Sequence, residues 1–268
     1  MTDLSVTDLS APGRVVVVTG GSRGIGRGIV EAFLARGAVV ETCGRSAPAA
    51  LISVEGREAA FTAVDVRDPA AVQAWVDGIV ARHGGIDVLV NNAGGAPLVD
   101  FSDSSIRLLT KVLELNLTSA VIVTHAARDA LREGSCVLSI SSMSGARPSP
   151  GSAVYGAAKA GLDALTASLA AEWAPRVRVN ALRCGHVDSD GGDEHFGDAA
   201  SKARIAATIP SRRMATPADI GDVCLLLASP LARHVTGAVL DVDGGGEWPA
   251  FLMESRTALV PPTPGEPT

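Results

Sequence analysis

Short apolar runs alternate with amphipathic segments along most of the chain. Residues 14–19 include four consecutive valines, a pattern typical of a strand buried on both faces. The next segment, up to about Arg36, carries apolar residues at helical spacing, and Gly37 is placed to end that helix. Because the same alternation recurs down the chain, the sequence predicts a doubly wound parallel sheet in one three-layer α/β/α domain.

Turn and capping residues bound the further elements. Asp68-Pro69 and Thr216-Pro217 each open a predicted helix with the first residue as N-cap, and Pro175 closes another helix. We expect strands at 39–43, 60–64, 88–90, 135–140, 177–182 and 238–242, and helices at 69–83, 105–130, 152–174 and 217–227. The domain should span 13–247, between a flexible tail at 1–12 and an extension at 248–268 that is proline-rich at its end.

Composition and charge narrow the function classes. A chain of 268 residues can bury a sizeable core, and with 47% hydrophobic but only 3% aromatic residues that core must be aliphatic. The net charge of −6, without a basic stripe, excludes nucleic acid as an expected partner. No membrane-length apolar run and no signal-peptide pattern is present, so no membrane is expected. The four cysteines have no paired spacing, which favours a reducing cytoplasm.

Glycines cluster directly after the first strand. Glycine lets backbone N–H groups approach a pyrophosphate, and the N-terminus of the following helix favours its negative charge. The spacing Gly-x3-Gly-x-Gly differs from the better-known G-x-G-x-x-G, and a simple tight turn is the alternative interpretation. Its place between a buried strand and a helix predicts a Rossmann-like dinucleotide site. The stretch reads Thr19-Gly20-Gly21-Ser22-Arg23-Gly24-Ile25-Gly26.

Tyr155 and Lys159 form a second candidate site. Residues four apart lie on the same face of a helix, about 6 Å apart along its axis. An isolated phenol has a pKa of about 10, and a nearby ammonium favours the phenolate and lowers that pKa. The pair is therefore a candidate proton donor and acceptor for a carbonyl or an alcohol. An ordinary amphipathic turn is the alternative.

These features occur together with further motifs in a recognisable order. The chain resembles the short-chain dehydrogenase/reductase family, in its single-domain branch, and is similar to the 3-oxoacyl-acyl-carrier-protein reductases and their ketone-reducing relatives. The resemblance covers residues 13–246. It rests on the glycine stretch, Asp65-Val66, Asn91 to Gly94, Asn116, Ser142 placed 13 residues before Tyr155, and Tyr155-x3-Lys159.

The resemblance implies four catalytic residues. Tyr155 would protonate the substrate oxygen as hydride arrives from the nicotinamide. Lys159 would lower the pKa of Tyr155 and bind the nicotinamide ribose. Ser142, rather than its neighbour Ser141, would hydrogen-bond the substrate oxygen where charge develops. Asn116 would hold a water in a proton relay to Lys159, or alternatively it is a helical polar residue that bonds the backbone.

The resemblance also implies the cofactor contacts. Asp65 would meet the adenine amino group, and Asn91 to Gly94 would steady the central sheet beside the cofactor. Cys184 stands where the family usually has proline, and we expect a buried small hydrophobe there rather than a reactive thiol. Ser189 corresponds to a threonine of the family. The full set is Gly20, Ser22, Arg23, Gly24, Ile25, Gly26, Arg45, Asp65, Val66, Asn92, Ala93, Gly94, Tyr155, Lys159, Gly185, Val187 and Ser189.

Residues 186–195 are rich in side chains of metal-ligand type. Gly192 occupies an oxygen-ligand position of the EF-hand pattern, and His186 and His195 are nine residues apart rather than on one helical turn. We therefore expect no metal there and interpret 188–207 as a solvated substrate lid, irregular at first and then helical.

The end of the second strand favours NADP(H), with NAD(H) as the alternative. A carboxylate there would bind the ribose 2′-hydroxyl of NAD and repel the 2′-phosphate of NADP, but the position is Gly44. Arg45 and Arg23 would face that phosphate with charge-assisted contacts, unless both are ordinary surface charges. Glu41 precedes Gly44 by three residues, so strand alternation puts it on the opposite face.

The sequence thus predicts an NAD(P)-dependent oxidoreductase acting on a small carbonyl compound or secondary alcohol. Two alternatives stay open. One is a catalytically silent nucleotide-binding or regulatory protein, and the other is a sugar-nucleotide epimerase, which shares the Tyr-x3-Lys pair but has a longer substrate region. Small apolar residues cover more than one face of the Tyr155 helix. We therefore expect a homo-oligomer, a tetramer or dimer, with this helix and the Asn116 helix at a two-fold interface.

Overall fold

The computed structural model describes residues 9–190 and 196–248, and a seven-stranded parallel sheet runs through its centre. Its strands are β1 Val15–Thr19, β2 Val39–Gly44, β5 Ala60–Ala63, β6 Ile86–Asn91, β7 Leu131–Ser142, β8 Val177–Cys184 and β9 Val239–Val242. They lie in the order β5-β2-β1-β6-β7-β8-β9. Two short strands, β3 Ser53–Val54 and β4 Arg57–Glu58, form a separate antiparallel hairpin.

Helices cover both faces of the sheet. They are α1 Gly24–Ala35, α2 Pro69–His83, α3 Ile106–Leu113, α4 Ser119–Ala127, α5 Ala153–Trp173, α6 Ala199–Thr208 and α7 Pro217–Ala228. One hydrophobic core joins the sheet to α1 and α7, and a second joins it to α2, α4 and the C-terminal half of α5. The predicted doubly wound, three-layer α/β/α fold is therefore confirmed.

The valine run of β1 supplies both cores at once. Val16 and Val18 pack in the core under α1, whereas Val15 and Val17 pack in the core under α2. All four side chains are buried, because alternate residues of a strand point to opposite faces and both faces here are covered by helices. This is the physical reason for an unbroken apolar run instead of an alternating one.

The predicted helix starts are confirmed by their caps. The Asp68 carboxylate accepts hydrogen bonds from two backbone N–H groups of the first turn of α2, and Thr216 forms a reciprocal capping box with Asp219 at the start of α7. The helix predicted at 105–130 is helical from Ile106 to Ala127, with a π-turn at Glu114–Thr118 that joins α3 to α4.

Other boundaries differ from the prediction. Strands β6 and β7 extend beyond 88–90 and 135–140, because residues outside those apolar runs still pair in register with neighbouring strands. The β3–β4 hairpin was not predicted, since its polar strands carry no apolar alternation and its turn depends on Glu55 and Gly56 at positive φ.

The expected terminal tails and the centre of the expected lid fall mostly outside the described residues, at 1–8, 249–268 and 191–195. The helix expected in the later part of 188–207 is present as α6, and its role as a lid stays a prediction. Within 9–190 and 196–248, no helix is both long enough and apolar enough to cross a bilayer.

Helices α1 and α7 contact each other backbone to backbone. A Cβ atom added to Gly28 would lie 2.4 Å from the carbonyl carbon and oxygen of Pro217, and one added to Gly221 would lie 2.7 Å from the carbonyl oxygen of Gly28. Backbone atoms cannot rotate aside as a flexible side chain can, so this contact requires glycine.

We expect Gly28→Ala to lower the free energy of unfolding by about 1–3 kcal/mol, because the added methyl group overpacks the α1–α7 contact. Gly78→Ala is the matched control in the interior of α2, where the nearest atom to the added Cβ is the movable Arg82 Nη1 at 3.3 Å. In that variant the free energy of unfolding should rise by up to about 1 kcal/mol, because alanine has a higher helix propensity than glycine. Urea unfolding of both variants measures the difference, and a shift in the same direction for both would contradict the close contact.

Candidate active site

The site lies where the order of the strands reverses. Strands β2 and β6 flank β1 on opposite sides, so the loops after β1, β6, β7 and β8 meet at the carboxyl edge of the sheet. Thr19 Oγ1 accepts hydrogen bonds from the N–H groups of Asn92 and Ala93 at 2.9 and 3.0 Å. Asn92 Nδ2 donates to the carbonyl oxygens of Thr19 and Gly20 at 2.8 and 3.1 Å. These bonds hold the β1 and β6 loops together.

The glycine stretch forms a tight turn between β1 and α1. Gly20 has φ +65, and a Cβ on Gly26 would lie 2.2 Å from the Gly20 carbonyl oxygen, so both positions exclude a side chain. A Cβ on Gly24 would be 3.6 Å from Ser189 Oγ. The loop after β8 therefore reaches the glycine turn, and the structure brings two separate groups of predicted cofactor residues together.

Among the described residues, no side chain caps the backbone N–H groups at the N-terminus of α1. Arg23 is the N-cap residue but makes no capping hydrogen bond, and the first turn contains no acidic residue. In contrast, Asp68, Ser105 and Thr216 cap α2, α3 and α7 with their side chains. Free N–H groups at the positive end of a helix dipole fit a diphosphate, so the residues present suit the pyrophosphate of a dinucleotide.

Ser142, Tyr155 and Lys159 lie together at the ends of β7 and the start of α5. Ser142 lies beside Tyr155, where it favours the ionised phenol, and Ser142 Oγ accepts a hydrogen bond from the Ser144 N–H at 3.2 Å. Lys159 is buried, and its Nζ lies 5.5 Å from the centre of the Tyr155 ring and donates to the Ile140 carbonyl at 2.7 Å. Ser141, in contrast, is buried and directs its hydroxyl to the Lys159 carbonyl at 3.3 Å.

The pKa of Tyr155 differs from the prediction. We expected Lys159 to lower it, but in this structure burial raises the pKa of the phenol, and the hydrogen bond with Ser142 only partly opposes that rise. The reason is desolvation, which also lowers the pKa of Lys159 to about 8, while the ammonium is directed at a backbone carbonyl instead of the phenol oxygen. The sequence gives the spacing of the pair but not this burial.

Asn116 lies in the π-turn between α3 and α4. Its Nδ2 donates to the carbonyl oxygens of Val112 and Gly95, both at 2.9 Å, and its Oδ1 accepts from the Gly95 N–H at 2.8 Å. The side chain thus takes the backbone-bonding role that was the alternative. A Cβ on Gly94 would be 2.7 Å from Asn116 Oδ1 and 3.4 Å from Lys159 Nζ, so both face this glycine. A part for Asn116 in a proton relay stays a prediction.

The expected adenine side of the site contains a residue that sequence reasoning missed. Arg67 donates two side-chain hydrogen bonds to Asp65, at 2.9 and 2.6 Å, and these lower the pKa of Asp65 to about 2. An adenine contact by Asp65 would have to share the carboxylate with Arg67. The only sequence signal for this pair was that Arg67 follows Asp65 by two residues in the same loop. The Val66 side chain is buried in the core, so it can meet a cofactor only through its backbone.

Arg23 and Arg45 are exposed, and within the described part of the chain neither guanidinium forms a hydrogen bond or an ion pair. Arg45 lies near enough to Asp65 to contribute to the lowering of its pKa. Gly44 presents its bare Cα towards Phe61 and Ser22. The strand end therefore offers two unpaired cations and no carboxylate.

Glu41 points away from this edge, as predicted. Its carboxylate is 1% exposed and accepts hydrogen bonds from Arg82 Nη2 at 3.0 Å and from His83 Nε2 at 2.8 Å, both on α2. This buried arrangement removes the one acidic residue of β2 from the cofactor side of the sheet.

The segment after β8 confirms one prediction and adds a missed contact. Cys184 is buried, and burial raises the pKa of its thiol to about 12, so the small-hydrophobe interpretation holds and the reactive thiol is wrong. Gly185 lies against Asp243, and Val187 pairs with Ala215. Glu247 binds both Arg147 and His186, with His186 Nε2 at 2.6 Å from its carboxylate. No sequence motif indicated Glu247.

Fold and site together define an α/β protein whose glycine turn suits a dinucleotide, at a parallel-sheet edge that also holds a serine, a tyrosine and a buried lysine. The family model described as enoyl-(acyl carrier protein) reductase matches residues 20–247. The chain belongs to the short-chain dehydrogenase/reductase family. As a member of this family it is an oxidoreductase that uses a nicotinamide dinucleotide.

Several relatives match over nearly their whole length. The chain is 37% identical over 249 residues to the 3-oxoacyl-[acyl-carrier-protein] reductase FabG of Chlamydia pneumoniae, covering 89% of this chain and 98% of that protein. It is 35% identical over 245 residues to FabG of Salmonella typhimurium, covering 88% and 98%. The solved aldohexose dehydrogenase of Thermoplasma acidophilum superposes with a TM-score of 0.82 at 27% identity, covering 96% of this chain and 100% of that one.

The lowered pKa of Lys159 predicts a pH-dependent contribution to stability. Between pH about 8 and the unfolded value near 10.5, the unfolded chain still binds the lysine proton while the folded protein has lost it. The unfolded state then binds more protons, so this group makes folding more favourable as the pH rises through that window. Lys159→Met should remove the contribution.

The measurement is the free energy of unfolding in urea, under reducing conditions, for wild type and Lys159→Met. The pH values are 7.5, 8.5 and 9.5, about one unit apart around the folded pKa of Lys159. The wild type should gain stability relative to the variant at each step. The buried cysteines have raised pKa values and therefore change stability with pH in the opposite direction. Their contribution is the same in both proteins, so it cancels in the difference. Parallel pH profiles would show that the lysine titrates normally.

Proposed function

We propose that this protein is an NADP(H)-dependent oxidoreductase that interconverts a small ketone and its secondary alcohol, with Tyr155 as general acid and base. The observation that carries the proposal is the clustering of Ser142, Tyr155 and the buried Lys159 at the sheet edge, with the Lys159 ammonium 5.5 Å from the centre of the Tyr155 ring. When bound, the nicotinamide supplies or accepts the hydride. The alternative of a silent binding protein gains no support from a site that keeps all three groups near one another.

Each side chain has a separate task in the proposed reaction. The phenol of Tyr155 gives its proton to the substrate oxygen during reduction and takes it back during oxidation. Ser142 Oγ, which lies beside that phenol, would donate its own proton to the same oxygen and stabilise its developing charge. Lys159, protonated below its pKa of about 8, would stabilise the tyrosinate left after proton transfer.

The preference for NADP(H) is supported by charge at the end of β2. Arg23 and Arg45 form no ion pair among the described residues, Gly44 contributes no carboxylate, and Glu41 is directed into α2. Two unpaired guanidinium groups would form charge-assisted hydrogen bonds with a 2′-phosphate and have no comparable partner in NAD.

We also propose that the protein is a cytoplasmic homo-oligomer, a dimer or tetramer. Helix α5 presents an exposed row of small residues at Ala157, Ala160, Ala164 and Ala167, and Leu113 and Val121 on the neighbouring helices are exposed. A row of small residues at helical spacing permits close approach of a second copy across a two-fold axis. Sedimentation at micromolar concentration reports the mass directly, and a 27.2 kDa species would contradict the assembly.

Tyr155→Phe should lower kcat by about 10²–10⁴-fold, because the ring still packs but no longer carries the transferable proton. Binding of NADPH, followed by quenching of protein fluorescence, should stay close to that of the wild type. Retention of more than a few per cent of wild-type turnover on the best substrate would exclude Tyr155 as the acid.

Wild-type enzyme should prefer NADPH to NADH in kcat/KM. Arg45→Ala should weaken that preference by about tenfold, because it removes a charge-assisted contact, and Gly44→Asp should reverse it by repelling the 2′-phosphate. Arg36→Ala, an exposed arginine at the opposite end of α1, is the matched control and should leave the ratio unchanged. An enzyme that used NADH tenfold better would contradict the assignment.

A further inference from the structure

An apolar cleft opens beside Tyr155. It lies between the segment 96–101, helix α3 and the first turn of α5, and encloses ≈ 310 Å³ including its open mouth. Its apolar lining includes Val99, Phe101, Leu108, Val112 and Val154, and Tyr155 also lines it. The cleft is therefore continuous with the group that would transfer the proton.

The wall of the cleft offers a ligand little polar bonding. None of its described residues is charged. Besides Tyr155, its polar side chains are Ser104 and Ser152, and both hydroxyls already bond within the protein. Ser104 Oγ donates to the Asp100 carbonyl at 3.0 Å, and Ser152 Oγ lies 2.6 Å from Ser149 Oγ. A polyhydroxylated substrate would lose its hydrogen bonds to water here without replacement, which disfavours a sugar.

The basic side chains beyond Ser142 also have partners within the protein. Arg147 and His186 border a second hollow next to Met143 and Gly185, and both bind the carboxylate of Glu247. Arg147 in turn holds the pKa of Glu247 below its ordinary value, so this carboxylate stays charged at neutral pH. An acidic substrate would have to displace Glu247 to reach either side chain.

Building on the proposed function, we infer that the substrate is an uncharged ketone or secondary alcohol whose apolar substituent occupies this cleft, with Phe101 and Leu108 as determinants of specificity. The reacting carbon lies at Tyr155 and the substituent extends along α3. Apolar contact in the cleft supplies binding energy. Hydroxylated and anionic substrates bind poorly, because the described residues of the wall carry no charge and its serine hydroxyls are already hydrogen-bonded within the protein.

The inference is tested with NADPH and a series of 2-alkanones from 2-butanone to 2-octanone, together with pyruvate and dihydroxyacetone as charged and hydroxylated probes. We expect kcat/KM to rise by about three- to fourfold per added methylene until the cleft is filled. Pyruvate and dihydroxyacetone should fall below 2-butanone. A flat chain-length profile, or a preference for either polar probe, would overturn the inference while leaving ketone reduction intact.

Two variants locate the effect in the cleft. Leu108→Asn should flatten the chain-length profile, whereas Ile106→Asn, on the same helix but 77% exposed and outside the wall, should retain it. Phe101→Ala provides an independent arm, because Phe101 is 62% exposed and its truncation threatens the fold little. Equal flattening by the Ile106 variant, or none by Leu108→Asn and Phe101→Ala, would refute the assignment. Failure of NADPH and NADH to reduce any carbonyl would instead refute the proposed function itself.

Discussion

The hydrogen bond from the buried Lys159 ammonium to the Ile140 carbonyl is the contact on which the site depends. It fixes helix α5 against strand β7 two residues before Ser142, and so sets the distance between that serine and Tyr155. A charge buried this deeply is costly unless it is hydrogen-bonded, so the ammonium favours the one arrangement of helix and strand that pairs it. The phenol is then held where the loops of the parallel sheet converge.

Much of this arrangement follows from local pattern. The valines of β1 indicate a strand covered on both faces, the caps at Asp68 and Thr216 indicate where helices start, and the glycine stretch indicates a turn without side chains. Each of these signals depends on residues that are close in sequence, through backbone conformation, capping or alternation. It can therefore be recognised in the sequence. The resemblance to a known family supplied the roles of Ser142 and Asn116, which their spacing alone would not have given.

What could not be predicted depends on groups that are distant in sequence. The raised pKa of Tyr155 and the lowered pKa of Lys159 both result from desolvation by elements that only the fold brings together. Glu247 meets Arg147 a hundred residues away, and Arg82 and His83 neutralise Glu41 from a different element. The π-turn at Asn116 likewise appears as ordinary helix in sequence, because it changes which carbonyl accepts a hydrogen bond and leaves the apolar pattern intact.

Tyr155 is the only tyrosine of the chain. The phenol beside Ser142 is therefore also the only phenolic chromophore, and ultraviolet difference absorbance during an alkaline titration reads the ionisation of this one group with no assignment to make. Any label placed on tyrosine, such as ring fluorine or an isotope, likewise marks this single position. The composition of the chain, poor in aromatic residues, thus makes Tyr155 its own spectroscopic reporter.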